Sequence, residues 1–327
     1  MDIQQALQRA VELSGSVLGT TSPNPPVGAV VLDRFGEPVG EGATQPPGGP
    51  HAEVVALRQA GVRAYGGTLV STLEPCCHTG RTGPCTTAIV ETGLVAVVYA
   101  AADPTEAAAG GADVLRTAGI EVSQLPVAVP PLEPWLHRQR TGRPFVTWKY
   151  AATLDGRSAA ADGTSRWITG AQARADVHRL RAEVDAIVVG VGTVLADDPQ
   201  LTVRPSPGRQ PLRVVLDRSG RTPSSARVLD EAAETLVLAE EPTAVLALLA
   251  ERGVVSVLLE GGPTLAAAFL AQGLVDRVIG YVAPALLGAG AAALADFGAG
   301  TINQALRLRL DEVQRVGDDV RMTLRST

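Results

Sequence analysis

Twice along the chain, short runs of apolar and β-branched residues alternate with stretches of helical periodicity, and a proline-crowded segment separates the two series. This alternation restricts the fold more than any other feature, because strand, helix and strand in succession pack as an α/β layer with a largely parallel sheet. In the first series, Asp2 and Gln5 have capping-box spacing, and Ile3, Ala6, Leu7, Ala10, Val11, Ser14, Val17 and Leu18 recur at helical intervals. Ser22-Pro23-Asn24-Pro25-Pro26 forces a turn, Val27–Leu32 reads as a buried strand, and Arg34-Phe35-Gly36 returns the chain into a second short strand. A helix begins near His51. Strands at Thr68–Leu73, Leu94–Ala101 and Ile120–Val122 then alternate with helices at Thr86–Glu91 and Asp113–Ala118.

Pro126, Pro130, Pro131 and Pro134 mark a connection between domains. The second series opens on the strand Phe145–Ala151. Its helices are expected at Ala171–Ala182, Thr243–Arg252 and Pro263–Gln272, and its strands at Ala186–Val191, Leu212–Asp217, Thr235–Ala239, Val254–Glu260 and Arg277–Val282. Leu306–Leu310 and Val320–Leu324 alternate with period two and suggest a closing antiparallel pair. The two halves share no convincing repeat. At 327 residues, the chain is long enough for two different α/β domains, 1–143 and 144–327, each burying its own core.

Composition removes several function classes. A net charge of −6 and 3% aromatic residues argue against nucleic acid, which needs clustered Lys and Arg and stacking platforms. Met1-Asp2-Ile3-Gln4-Gln5 has no basic segment before an apolar run, so no signal peptide is expected. The longest uncharged stretch, Val278–Ala295, contains Pro284 and several Gly and reads as buried strand and loop rather than a membrane span. The expectation is a cytoplasmic protein. Only one lysine, Lys149, stands among 28 basic residues, which hints at a task that Arg cannot do.

All three cysteines, Cys76, Cys77 and Cys85, fall within ten residues, directly after the strand Thr68–Leu73. A disulfide framework wants an even, dispersed set, whereas clustered thiols suit a metal or catalytic site. His51, Cys76 and Cys85 offer one imidazole and two thiolates, leaving a fourth position on a tetrahedral zinc for water, whose pKa the metal lowers. Glu53, two residues after His51, is placed to shuttle protons without binding the metal. The order His-x-Glu, then Pro-Cys and a second Cys, is that of zinc deaminases acting on nucleobases. A structural zinc site would need a fourth protein ligand; Cys77 adjoins Cys76, and adjacent side chains rarely face one ion. A zinc deaminase for another base, with a divergent second domain, and a non-catalytic zinc-stapled binding module stand as the alternatives.

The wide Cys76-to-Cys85 spacing, Ser22-Pro23-Asn24-Pro25-Pro26-Val27-Gly28 and Gly80-Arg81-Thr82 together resemble the bifunctional deaminase/reductase family of riboflavin biosynthesis. The resemblance implies a cytidine-deaminase-like three-layer α/β/α domain followed by a dihydrofolate-reductase-like α/β domain. It also implies zinc and NADPH as cofactors, a pyrimidine ribosyl phosphate as substrate, and a homo-oligomer. Asn24, His78 and Arg81 would hold the pyrimidine and its ribose phosphate. The family often has Ser where Cys77 stands and a basic residue in the stretch matched by Ala109-Gly110-Gly111.

In the second half, the strand Val254–Glu260 leads into Gly261-Gly262-Pro263-Thr264 and a helix, a turn that lets a phosphate approach backbone amides, although such a turn is more often ordinary packing. The resemblance continues through Lys149–Gly156, Ser165–Thr169, Arg181 and Gly192–Arg204. By position it implies that Ala151, Trp167, Thr193, Asp197 and the run Gly262, Pro263, Thr264, Leu265, Ala266, Ala267 and Ala268 contact the dinucleotide. Ser165, Arg181, Leu201, Arg204 and Glu260 would contact the substrate, the two arginines facing its phosphate. Lys149 and Asp155 are polar supports near the reacting ribose by the same resemblance. Ser224–Glu241 is shorter than the family usually has.

Overall fold

The computed structural model describes residues 1–78, 83–105, 109–204 and 209–326. They form two compact units, Met1–Gly142 and Arg143–Thr327.

The first unit runs α1 (Ile3–Ser16), β1 (Gly28–Leu32), β2 (Pro38–Ala43), α2 (Ala52–Ala60), β3 (Thr68–Leu73), α3 (Cys85–Glu91), β4 (Ala96–Ala101), α4 (Gly111–Thr117), β5 (Glu121–Gln124) and α5 (Glu133–Thr141). The Asp2 carboxylate accepts from the Gln5 amide and the Gln5 side chain accepts from the Asp2 amide, the reciprocal cap expected from their spacing. Asp2→Ala removes one of these acceptors and is expected to cost about 1 kcal/mol, read as a lower urea midpoint. The strand order is β2-β1-β3-β4-β5. The sheet is less parallel than the largely parallel one read from the sequence: β1 runs antiparallel to both β2 and β3, and only β3, β4 and β5 are parallel. The turn at Asp33–Gly36 makes β1 and β2 a hairpin, and a hairpin reverses direction by construction.

Two glycines set the layers. A Cβ on Gly28 would lie 2.0 Å from the Ala10 carbonyl oxygen of α1, and one on Gly42 would lie 2.2 Å from that of Ala52 in α2. Gly42 pairs with Ala29, the neighbour of Gly28, so the two helices press on opposite faces of the sheet. The proline-rich segment is a short 3-10 turn (Pro130–Leu132) and then α5, not an open linker. Pro134 lies in the first helical turn, where a missing N–H costs nothing, and Trp135 is buried beside it.

The second unit runs β6 (Phe145–Thr153), α6 (Ala171–Ala182), β7 (Ala186–Gly190), α7 (Val191–Asp197), β8 (Leu212–Leu216), β9 (Thr235–Leu238), α8 (Pro242–Glu251), β10 (Ser256–Leu259), α9 (Pro263–Ala271), β11 (Arg277–Ala283), β12 (Leu308–Val316) and β13 (Asp319–Ser326). Its eight-stranded sheet has the order β12-β13-β11-β6-β10-β7-β8-β9. Strands β11 through β9 are parallel, and the tail adds the antiparallel pair expected from its period-two pattern. Alternate strand positions serve two cores. Val146, Trp148, Val188, Val214 and Leu259 pack with Val245 and Leu249 of α8 and Phe269 of α9. Ile187, Val189, Val215 and Ile279 pack instead with Ala173, Val177 and Leu180 of α6.

The chain leaves β6 for β7 on one side and later crosses from β10 to β11 on the other. The strand order therefore reverses at β6 and β10, and in an open α/β sheet the crevice outside the carboxyl ends at such a reversal is where ligands bind. No helix among the described residues is long and apolar enough to cross a membrane.

Candidate active sites

In the first unit, the backbone brings the motif residues to one point. His51 is the extended N-cap residue of α2, Glu53 lies in that helix's first turn, and Cys85 opens α3. Nδ1 of His51 lies 3.3 Å from Sγ of Cys85 and 3.5 Å from Sγ of Cys76, and the three atoms fall within 4.8 Å of one another. A tetrahedral zinc with Zn–S of about 2.3 Å and Zn–N of about 2.0 Å puts N and S about 3.5 Å apart, so the triad fits that ion. The Cys85 amide donates to Sγ of Cys76 at 3.4 Å. Hydrogen bonding from Cys85 and His51 holds the Cys76 thiol far below its ordinary value, while Cys76 and burial push Cys85 up. Two thiols and an imidazole converging at one buried point form a donor set that a zinc ion would satisfy.

Glu53 is 4% exposed. Burial, then the neighbouring Cys76 thiolate, raises its carboxyl to about 7. It lines a cavity of about 380 Å³ together with His51, Cys76, Asn24 and His78. The ring Nδ1 of His78 is buried and takes no hydrogen bond among the described residues. Arg81 lies outside the described residues. Cys77 turns away, donating to the Ala109 carbonyl at 3.3 Å.

The same cavity is walled by Glu74, Asp103, Thr105 and Trp135, which were not singled out from the sequence. Glu74 follows β3 and accepts from the amides of Ala112 (3.0 Å) and Asp103 (3.3 Å); Asp103, after β4, accepts from the Thr105 amide and hydroxyl. Both carboxylates sit at carboxyl ends of parallel strands, and that position was the available signal.

In the second unit, Arg181 of α6 and Glu260 after β10 form a bidentate ion pair, with Nε to Oε1 at 2.6 Å and Nη2 to Oε2 at 2.9 Å. Nη1 of Arg181 donates to the Thr202 carbonyl at 3.3 Å, so much of its donor fork is already engaged. Desolvation opposes the charge on Glu260, but Arg181 and then Lys149 hold its carboxyl below the ordinary range. Burial pulls Lys149 down, against the pull of Glu260. Ser165 donates to Asp197 at 3.4 Å. Trp167 is 68% exposed, with the Arg174 guanidinium 4.4 Å from its ring centroid.

Several of the implied positions are buried or already hydrogen-bonded within the protein. The Leu201 side chain is in the core. Ala266 and Ala267 are buried as well, and the Ala266 amide bonds to the Gly262 carbonyl, leaving Gly262, Thr264 and Leu265 to present free-standing helix-start geometry. Asp155 is occupied structurally: Thr153 donates to it at 2.6 Å and the Gly288 amide at 2.7 Å, which holds its carboxyl down at about 2. Asp197 is the last residue of the helix α7.

Residues 1–101 match the cytidine and deoxycytidylate deaminase zinc-binding region, and residues 144–322 match the RibD C-terminal domain. The riboflavin biosynthesis protein RibD of Mycobacterium tuberculosis is 52% identical over 98% of this chain and 97% of its own. That of Escherichia coli is 40% identical over 98% of each. The chain belongs to the RibD family. Among solved structures, RibD of Acinetobacter baumannii superposes with a TM-score of 0.89 at 40% identity, over 99% of both chains. A Thermotoga maritima diaminohydroxyphosphoribosylaminopyrimidine deaminase/5-amino-6-(5-phosphoribosylamino)uracil reductase does so with 0.92 at 35%, again over 99% of both.

As a RibD-family protein, the chain is a bifunctional deaminase and reductase of riboflavin biosynthesis that uses zinc and NADPH. The second unit fits a dinucleotide where β7 and β10 end. A Cβ on Gly262 would lie 3.8 Å from the Thr193 hydroxyl, so the two turns stand side by side, with backbone open above a helix start.

Proposed function

We propose that the first domain hydrolytically deaminates 2,5-diamino-6-ribosylamino-4(3H)-pyrimidinone 5′-phosphate and that the second reduces the ribosyl group of the product to ribityl. The observation that carries this reading is the convergence of His51, Cys76 and Cys85, with His51 and Cys76 lining the same cavity as the buried Glu53. His51, Cys76 and Cys85 would hold zinc, which when bound supplies a hydrolytic nucleophile at neutral pH. Glu53 takes a proton from the attacking water on its carboxylate and returns it to the departing amine, a task suited to a buried carboxyl beside the triad. Asn24 and His78 orient the pyrimidine, with Arg81 assigned to the phosphate end by its motif.

In the second domain, NADPH supplies the hydride. Gly262, Pro263, Thr264, Leu265 and Thr193 would seat its phosphates, with Ala151, Trp167 and Asp197 along the nicotinamide side. Arg204 and Arg181 attract the substrate phosphate, and Ser165, Leu201 and Glu260 complete the wall. The protein's share is orientation of the two reactants. We place the enzyme in the cytoplasm as a homo-oligomer, as its family resemblance implies.

Mass spectrometry of the reaction tests the assignment. Without NADPH, an amino-to-oxo exchange is expected; with NADPH, two further hydrogens. Removing zinc with a chelator abolishes the exchange but leaves reduction of the already deaminated intermediate intact. Absence of turnover with zinc bound overturns the substrate assignment.

A further inference from the structure

Residues 198–204 follow α7 without regular secondary structure, yet their backbone is held from many sides. Leu201 has a φ of 55° and is 2% exposed. A leucine in the left-handed region is strained, and such a conformation persists only where its surroundings over-determine it. Here they do. Arg213 donates to the Gln200 carbonyl at 3.1 Å, Arg181 to the Thr202 carbonyl at 3.3 Å, and the Val203 amide donates to Gln210 at 2.8 Å. The last clamp is on the arginine itself: the Arg204 amide donates to Nδ1 of His178, on α6, at 3.2 Å.

We propose that His178 is a positioning residue of the reductase domain: its neutral imidazole accepts the Arg204 amide and thereby fixes how Arg204 is offered to the substrate phosphate. This rests on the reading that Arg204 meets that phosphate. An Nδ1 that accepts must carry a lone pair, which puts the ring proton on Nε2, and the Thr202 carbonyl also meets the ring. The charged groups facing the ring are Arg181 on its own helix, Arg204 on the clamped segment and Glu260 after β10. Burial, then the two arginines, hold His178 below its ordinary value, against Glu260 and the Thr202 carbonyl. The acceptor is therefore present at neutral pH, and protonation would both break the clamp and add a third cation beside the two arginines.

The test is steady-state reduction of the deaminated intermediate, with the melting transition of the reductase domain as the control that it is folded. His178→Ala should raise the KM for the intermediate by about tenfold with kcat nearly unchanged, the scale of one lost hydrogen bond. His178→Asn, whose Oδ1 stands close to the place of Nδ1, should restore most of it. The ratio of wild-type to His178→Asn KM should rise as pH falls from 7 to 5, because the phosphate's own titration cancels in that ratio. An unchanged KM in His178→Ala, or a loss that Asn fails to restore, overturns the positioning role. A flat ratio across pH does the same. Arg204→Ala separates the two readings: if it leaves KM unchanged, the assignment of Arg204 to the phosphate fails, whatever His178 does.

Discussion

Glu53→Gln is expected to reduce ammonia release by about 10³-fold, within the range a positioned general acid/base supplies, while the protein keeps its zinc and its NADPH-dependent activity. Glutamine has the shape of glutamate and no proton to exchange, so the substitution removes the chemistry and leaves the packing. Glu53 lies two residues beyond His51 in the first turn of α2 and lines the same cavity as His51 and Cys76. At 4% exposure its charged form is poorly solvated, so the neutral amide should leave stability unchanged or slightly raised. Three measurements decide it: ammonia release, zinc per chain by plasma mass spectrometry, and reduction of the deaminated intermediate. Continued ammonia release would assign the proton transfers elsewhere. Loss of zinc would make Glu53 a support of the metal site rather than its partner in chemistry.

The sequence and the structure agree most closely where information is local. The strand Thr68–Leu73 and the helix Ala171–Ala182 have the bounds their periodicity implies, and the capping pair Asp2 and Gln5 is present. The metal-binding triad was legible for a similar reason: each residue carries chemistry that few other residue types supply, and Cys76 and Cys85 are close in sequence. The antiparallel pairing of β1 with β3 was not legible, because the pattern of β1 says that it is buried on both faces and nothing about its neighbours. The helix α5 was hidden by prolines that a first turn tolerates. Glu74, Asp103 and Trp135 escaped because they meet only through the pairing of β3 with β4 and the return of α5. Arg181 and Glu260, 79 residues apart, gave no hint that they would hold each other.

That pairing yields the second large effect. Glu260→Ala should lower the stability of the reductase domain by about 3 to 5 kcal/mol, the cost of stranding a buried partner, which for a unit of this size corresponds to roughly 10 °C in its melting transition. The side chains of Arg181 and Glu260 are only 13% and 8% exposed, and Lys149 also draws on the same carboxylate. Because the folded state holds Glu260 below its ordinary value, the unfolded chain binds the proton more readily. Its contribution is therefore complete above the unfolded carboxyl value, near 4.3, and is lost as pH falls through the lower folded one. The calorimetric difference between wild type and Glu260→Ala should accordingly shrink in acid. Stability and function can be separated with Arg181→Met in the same background: without the stranded guanidinium the melting transition should recover, since an apolar replacement of a buried pair is often neutral or better. Reduction should not recover if, as proposed, Glu260 walls the substrate site and Arg181 supplies one of its cations. A double variant that regains activity along with stability would mean that the pair only holds the domain together, and the substrate site would then have to be sought away from Glu260.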